Sequence, residues 1–433
     1  MLTRRTLLRG ALAALLWPRR LWAQPLPPSN LQVGTKMGRL FTCGFEENNL
    51  TATMWTQEAG TAGAIVTDQV HSGTYAYKPP IGDSGTALRR NRSASIGSGT
   101  HWFRVYVRTS NGWVRNNLRI FWIEDSGSVP KVSVRAMSDE TLRLVNEGTG
   151  TTSASSTVLS LDTWYRLELR VLVHATAAEI ELRIFLGDTT SPLETLTPIT
   201  GEAMSDFEKI VIGKSGVGAG DNTSTMWFDD LAYNDSTGTF QNSWPGPGNI
   251  ALAVPGGEIA MAWEDETSGV SLYTNVNDLP GTPDDANYNM EDDTLNVVDR
   301  MTLATLPAGI PADADMVLLD LYARVGSNQT SANRGRLKIW DEGSNLTDGP
   351  NVDFNYNGWA LVTTAEHQVY DLGTRTKANV QDFDIGYETI LDLATRPRRI
   401  SALWANVEWI AAAAGGLSIP VAMQSYRQRR VLV

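Results

Sequence analysis

The chain is short of the residues from which most metal and nucleophilic sites are built. Of its 433 residues one is a cysteine and four are histidines, at 71, 101, 174 and 367. A lone Cys43 excludes an internal disulfide and a cysteine-based zinc cage, and with no base beside it the thiol reads as a small buried hydrophobe. No H-E-x-x-H, C-x-x-C or G-x-S-x-G pattern occurs, so zinc-protease, dithiol and serine-hydrolase chemistry lack their usual frame. Positive charge is also scarce: 36 basic against 48 acidic residues leave a net charge of −12. The five arginines of the first 30 residues (Arg4, Arg5, Arg9, Arg19, Arg20) have no acidic neighbour there, so the rest is more acidic still. Such a body is a poor partner for nucleic acid or anionic lipid, whose binding begins with neutralised phosphates. What remains is ordinary for a soluble globular protein: 42% hydrophobic and 19% charged residues, in a length that suggests two or three domains.

The segment Met1 to Arg9, with paired Arg4 and Arg5 followed by Thr6, Leu7 and Leu8, resembles the twin-arginine signal of bacterial export. Gly10 to Trp17 is an apolar run of signal length, too short to span a bilayer. Residues 1–30 are therefore expected to be an export leader and a Pro-rich spacer, cut near Ala23, with the mature protein periplasmic or extracellular. No membrane span is expected.

Beyond the spacer the pattern has a period of two. In His101 to Arg108, Phe103, Val105 and Val107 alternate with Trp102, Arg104, Tyr106 and Arg108. Trp164 to Val173 sets Tyr165, Leu167, Leu169, Val171 and Val173 against Trp164, Arg166, Glu168 and Arg170, and Glu179 to Leu186 continues the pattern. Strands with one apolar and one polar face, separated by Gly- and Ser-rich turns, predict antiparallel sheets packed in pairs. Met316 to Val325, Arg336 to Trp340 and Ile400 to Ile410 alternate likewise, and Lys377 to Phe383 is the one short helix expected. Asn242-Ser-Trp-Pro-Gly-Pro-Gly-Asn249 breaks the series. The expectation is an all-β chain of two tandem β-sandwich (jelly-roll) domains, 31–241 and 263–411, joined by a linker at 242–262 and followed by a tail at 412–433.

Four stretches carry a resemblance: Phe45-Glu46, His71-Ser-Gly-Thr-Tyr-Ala-Tyr77, Asp162-Thr-Trp-Tyr-Arg-Leu-Glu-Leu-Arg170 and Met226-Trp-Phe-Asp-Asp-Leu-Ala-Tyr-Asn-Asp235. In order and spacing they are similar to the concanavalin A-like lectin/glucanase superfamily of LamG-type jelly rolls. Asn234 to Gly238, Asn242 to Gly246, Asn275 to Pro280, Pro283 to Asp285 with Tyr288, and Ala378 to Gly386 also resemble a group of phage and prophage virion-associated proteins with a second β-sandwich. The superfamily resemblance implies a structural Ca²⁺ where the first and last strands meet, at Glu46, Asp229 and Asp230; hard carboxylate oxygens suit that ion. No other cofactor is implied.

Catalytic carboxylates in jelly-roll glucanases lie in an E-x-D-x-x-E strand, which is absent, and Glu264-Asp265-Glu266 sends neighbours to opposite faces. Arg166-Leu-Glu-Leu-Arg170 matches in letters a strand of alginate-lyase-like jelly rolls, but no Q-I-H accompanies it. Two uses of the polar faces stay open. Trp102, Arg104, Tyr106, Arg108, Trp164, Arg166 and Arg170 form one carbohydrate-binding face, aromatic rings on sugar faces and arginines on hydroxyls or carboxylates. Alternatively, those side chains merely solvate the sheet. The reading taken is a non-catalytic attachment or structural protein: a lectin-like first domain binding a glycan or cell-surface polysaccharide, and a second domain for assembly, as a homo-oligomer or on a virion. The alternatives are a virion decoration protein or tail adhesin, and a polysaccharide lyase or glycoside hydrolase.

Overall fold

The computed structural model describes residues 38–412 except 51–54, 58–62, 81–84, 97, 113–116, 217–223, 266–270, 292–293, 295, 328–333, 342–343, 346–351, 354–357, 362–367 and 392–397. The expected leader at 1–30 and the tail from 413 lie outside the described residues. The period of two becomes strands almost everywhere. Gly99–Thr109, Tyr165–Val173 and Ala178–Leu186 lie side by side and antiparallel at the centre of a nine-stranded sheet. Met226–Asp235 follows on the far side of Gly99–Thr109, with Arg39–Cys43 paired to it. A six-stranded sheet built around Phe207–Gly216, Leu118–Glu124 and Pro130–Ala136 closes the first sandwich.

Its core is the set of apolar positions that the alternation selects. Phe103, Val105, Leu167, Leu169, Val171, Ile180, Leu182 and Ile184 join Ile120, Ile123, Val132, Val134, Leu144, Ile210 and Ile212 in one cluster. Phe103 stacks on Tyr233 at 4.7 Å between ring centroids. Each Å² of apolar surface that these side chains withdraw from water stabilises the fold by about 25 cal/mol, the main drive for closing the two layers. Cys43 is buried in the same cluster, receives the Trp55 indole N–H at 3.3 Å, and has its thiol pushed well up by burial.

The second sandwich repeats the plan. Asp315–Ser327 and Arg398–Ile410 are the long central pair of a seven-stranded sheet, and a six-stranded sheet contains Val298–Leu303, Phe383–Leu391 and Arg334–Asp341. The chain is thus all-β with two β-sandwiches in tandem. The expected helix forms at Lys377–Gln381, where the Thr376 side chain accepts from Asn379 N–H and Asn379 reciprocates. Phe383 belongs instead to the next strand.

The domain boundary differs from the sequence expectation. Asn249–Ala253 pairs with Arg398–Ile410, and Pro255–Ala260 pairs with Val298–Leu303, so the second sandwich begins at Asn249 rather than at 263. The Pro- and Gly-rich stretch marks the true join, and the residues after it are already strand. No helix among the described residues is long and apolar enough to cross a membrane.

Candidate functional site

The outer face of the nine-stranded sheet is where the sequence places a ligand, and strand register sets its rows. Phe185, Arg166, Tyr106 and Asp229 stand opposite one another across four strands. Arg183, Glu168 and Arg104 form the next row, and Glu181, Arg170, Trp102 and Asn234 the one after. All seven expected sugar-contacting residues therefore belong to one side of one sheet. They do not form one wet face.

Arg104, Tyr106 and Arg166 are buried, at 0%, 0% and 1% exposure, and this corrects the expectation for those three. The cover is the chain itself. Residues 242–248 run across the sheet as a strap. Ser243 O accepts from the Asn234 amide at 2.7 Å, Gly246 O from Arg104 Nη1 at 3.2 Å, and Gly248 N–H donates to the Tyr106 hydroxyl at 3.3 Å. Trp244 of the strap packs against the Arg183 guanidinium, 3.9 Å from its ring centroid.

Beyond the strap, the second sandwich completes the cover. Glu408 Oε1 receives Arg104 Nη1 at 2.6 Å and Glu408 Oε2 pairs with Arg39, all three side chains being fully buried. Asn406 donates to Glu47 Oε1 at 2.9 Å, and the Tyr322 hydroxyl reaches Thr42 O at 3.3 Å. Burial alone would push the Glu408 carboxyl up, yet Arg104 and Arg39 hold it below its usual range. Gly248 lies in this joint, where a Cβ would stand 2.2 Å from Glu408 Oε1 and 2.3 Å from Arg104 Nη1.

Arg166 acts on the protein rather than on a ligand. Its guanidinium pairs with Glu168 at 2.8 Å, donates to Gly187 O and Thr189 O at 3.0 and 2.9 Å, and lies over Phe185. It thereby holds the turn that carries Asp188 above Tyr106, whose hydroxyl donates to the Asp188 carboxylate. The other four residues keep some access to solvent. Arg108 pairs with Asp162, Arg170 bridges Glu179 and Glu181, Trp102 is half-buried, and half-buried Trp164 meets His71 edge-on at 5.7 Å.

The two aspartates of Met226–Asp235 are brought together by a bulge: the register with Gly99–Thr109 shifts between Asp229 and Ala232, and Asp230 has φ of +46°. Asp229 then receives His71 N–H at 2.8 Å and Asp230 N–H at 2.8 Å. Asp230 receives His71 Nδ1 at 2.6 Å, the Ser72 hydroxyl at 2.9 Å and Ile250 N–H at 2.8 Å. Glu46 accepts from Thr74 and Tyr75 N–H. The motif needs its glycine, because Gly73 has φ of +64° and a Cβ there would lie 2.2 Å from Glu46 Oε1.

The three residues expected to bind Ca²⁺ are thus neighbours, but every carboxylate oxygen already faces a protein donor. Among the described residues no group of three acidic, histidine or cysteine side chains is placed to share a metal ion. The donor set does not fit calcium, and its hydrogen bonds do the clamping that the ion was expected to do.

Burial pushes Glu46 from the ordinary 4.5 up to about 8, against backbone N–H bonds that favour its charged form. A carboxyl raised on folding contributes stability that is whole below about pH 4.5 and is lost as the pH rises through about 8. The melting temperature is therefore expected to fall across that window, and Glu46→Gln, neutral at every pH, to flatten the fall. Asp229, also raised by burial, leaves a residual slope; Glu408, lowered, acts at the acid end. Parallel profiles for the two proteins would refute the assignment.

His71, Asp188 and Glu408 are the residues that sequence reasoning missed. His71 stacks on Tyr106 at 3.7 Å between centroids, with Nδ1 on Asp230 and Nε2 3.6 Å from Asp188. The one sequence signal for the joint was Asn406 and Glu408 set into the otherwise apolar run Leu403 to Ile410.

No family model matches the chain, and no curated protein matches it. Among solved structures it is similar to "Cellulose induced protein, Cip1", at 16% identity over 45% of this chain and 96% of that one, with a TM-score of 0.34. The tandem CBM22-1-CBM22-2 domain from Paenibacillus barcinonensis Xyn10C covers 86% of this chain and 98% of its own, at 10% identity and a TM-score of 0.27. "Alginate lyase AlgAT5 from Polysaccharide Lyase family 7" covers 44% and 98%, at 13% identity and 0.33. The fold assignment rests on strand pairing, and at these scores the likeness says nothing of ligand or chemistry.

Proposed function

We propose that this is a non-catalytic attachment or structural protein, exported by its leader, that meets a glycan at the margin of the sheet left open beside the joint. The observation that carries this reading is the sheet margin beside the strap. Half-buried Trp102 stands opposite Arg170, half-buried Trp244 of the strap lies on Arg183, and Glu179 and Glu181 hold the two guanidinium groups in place. Ordered arginines beside indole rings offer a sugar both an apolar platform and fixed donors. The second sandwich braces this margin through Glu408.

The geometry around His71 supports a non-catalytic role. Proton transfer from a sugar would need a nitrogen or hydroxyl turned to the ligand. Here Nδ1 of His71 is on Asp230, Nε2 faces Asp188, and the Tyr106 hydroxyl donates to Asp188.

A glycan-array screen of the full chain, followed by analysis of each hit for new reducing or unsaturated ends, tests the reading. The expected result is binding without cleavage, weakened about tenfold by Trp102→Ala, the worth of one well-packed aromatic contact. Cleavage would establish the lyase or hydrolase alternative. Silence on every glycan would leave a purely structural role, as on a virion.

A further inference from the structure

The opposite face of the first sandwich carries a feature that the joint does not use. Leu118–Glu124, Pro130–Ala136 and Leu142–Asn146 are adjacent strands of the six-stranded sheet, and their inward positions belong to the core. On the outward side, Arg119 stands directly opposite Arg135, and Arg135 directly opposite Arg143. Three like charges in one cross-strand row destabilise a sheet unless something negative lies on them.

One internal carboxylate meets part of that demand. Glu147 receives Arg119 Nε and Nη2 at 2.8 and 2.9 Å and Arg135 Nε and Nη2 at 3.1 and 2.6 Å, with the Ser133 hydroxyl on the same carboxylate. Burial would push Glu147 up, but Arg119, Arg135 and Ser133 outweigh it and hold the carboxyl down at about 2. Arg119 and Arg135 therefore grip this carboxylate in forked geometry. Arg143 is left over. Its Nε donates to the Ser155 hydroxyl at 2.8 Å, and among the described residues no carboxylate forms an ion pair with it, although exposed Asp139 is near enough to feel its charge.

We infer that Arg143, the end of the row that Glu147 does not hold, is the contact of a second binding site, for an anionic group of an acidic polysaccharide. The inference rests on the glycan reading above and adds the ligand's charge and a different face. A uronate carboxylate or sulfate ester placed on Arg143 meets the one guanidinium of the row whose hydrogen-bond partner is a neutral hydroxyl rather than a carboxylate. Such a polysaccharide needs only a local positive contact. A nucleic acid needs a broad basic surface, which a chain of net charge −12 is poorly suited to supply.

The test measures binding of the full chain to polygalacturonate, to a neutral β-glucan and to duplex DNA, for the native protein, Arg143→Gln and Trp102→Ala. Arg143 is at the sheet's edge on a neutral partner, so its replacement leaves the Glu147 cluster in place. The expected result is preference for polygalacturonate, weakened about tenfold by Arg143→Gln, with a shallower salt dependence and unchanged neutral-glucan binding. Polygalacturonate binding that Arg143→Gln leaves intact and Trp102→Ala abolishes would overturn the second site while sparing the sheet-margin reading. Equal or tighter binding to DNA would overturn the ligand class. No binding to any of the three, with glycans silent on the array, would overturn both.

Discussion

Glu408→Ala is expected to be among the most damaging substitutions in the chain. It leaves Arg39 and Arg104 inside the joint with no carboxylate between them, and breaking a buried pair from one side is worth about 3–5 kcal/mol. The loss falls on the contact between the sandwiches rather than on either core. Calorimetry should therefore show a lower first transition and a split of one unfolding event into two. Simultaneous Arg39→Met, Arg104→Met and Glu408→Leu should recover much of the loss, because apolar side chains of similar size remove the stranded charges. If Glu408→Ala melts like the native protein in a single transition, the joint is not held by this triad.

Asp230→Ala should have an effect of similar size for a different reason. It strips His71 Nδ1 of its acceptor and takes from the Ser72 hydroxyl and the Ile250 N–H the shorter of the two bonds each makes, leaving Ser72 and Ile250 only to one another. Each buried donor left unpaired costs about 1–3 kcal/mol. Asp230→Asn keeps the shape and one acceptor oxygen, so it should lose less, while still disturbing the His71 ring. The discriminating measurement combines denaturant unfolding with amide exchange at Ile250. Fast exchange there in Asp230→Ala, with Phe103 and Leu169 still protected, would place the damage at the join. Uniform loss of protection would mean that the bulge is instead a keystone of the first core.

The two effects share an origin in how polar faces were used. Alternation in Trp164 to Val173 and in Ile400 to Ile410 correctly separates apolar from polar positions, and the cores contain the residues it selects. The same alternation treats Arg104, Arg166 and Glu408 as surface, and there it errs. A period of two says only that a side chain points away from its own sheet's core. It carries no information on whether water or another part of the chain lies beyond. The pairing of Glu46 with the two aspartates was legible as proximity from the motif resemblance. Their engagement was not: Thr74, Tyr75 and Ile250 act through backbone N–H groups, which leave no trace in residue identity, and the His71 and Ser72 side chains reach Asp230 only through the fold.

The all-β class, the two sandwiches, the short helix at Lys377 and most core positions were legible in the residue order alone. These follow from local periodicity and turn residues, which act over a few neighbours along the chain. The start of the second sandwich at Asn249, the strap over the first sheet, and the joining of Glu408 to two arginines more than 300 positions away emerge from the folded chain. Those outcomes depend on the meeting of two polar faces, each unremarkable alone. Burial of a charge becomes tolerable only when its opposite arrives from elsewhere in the fold.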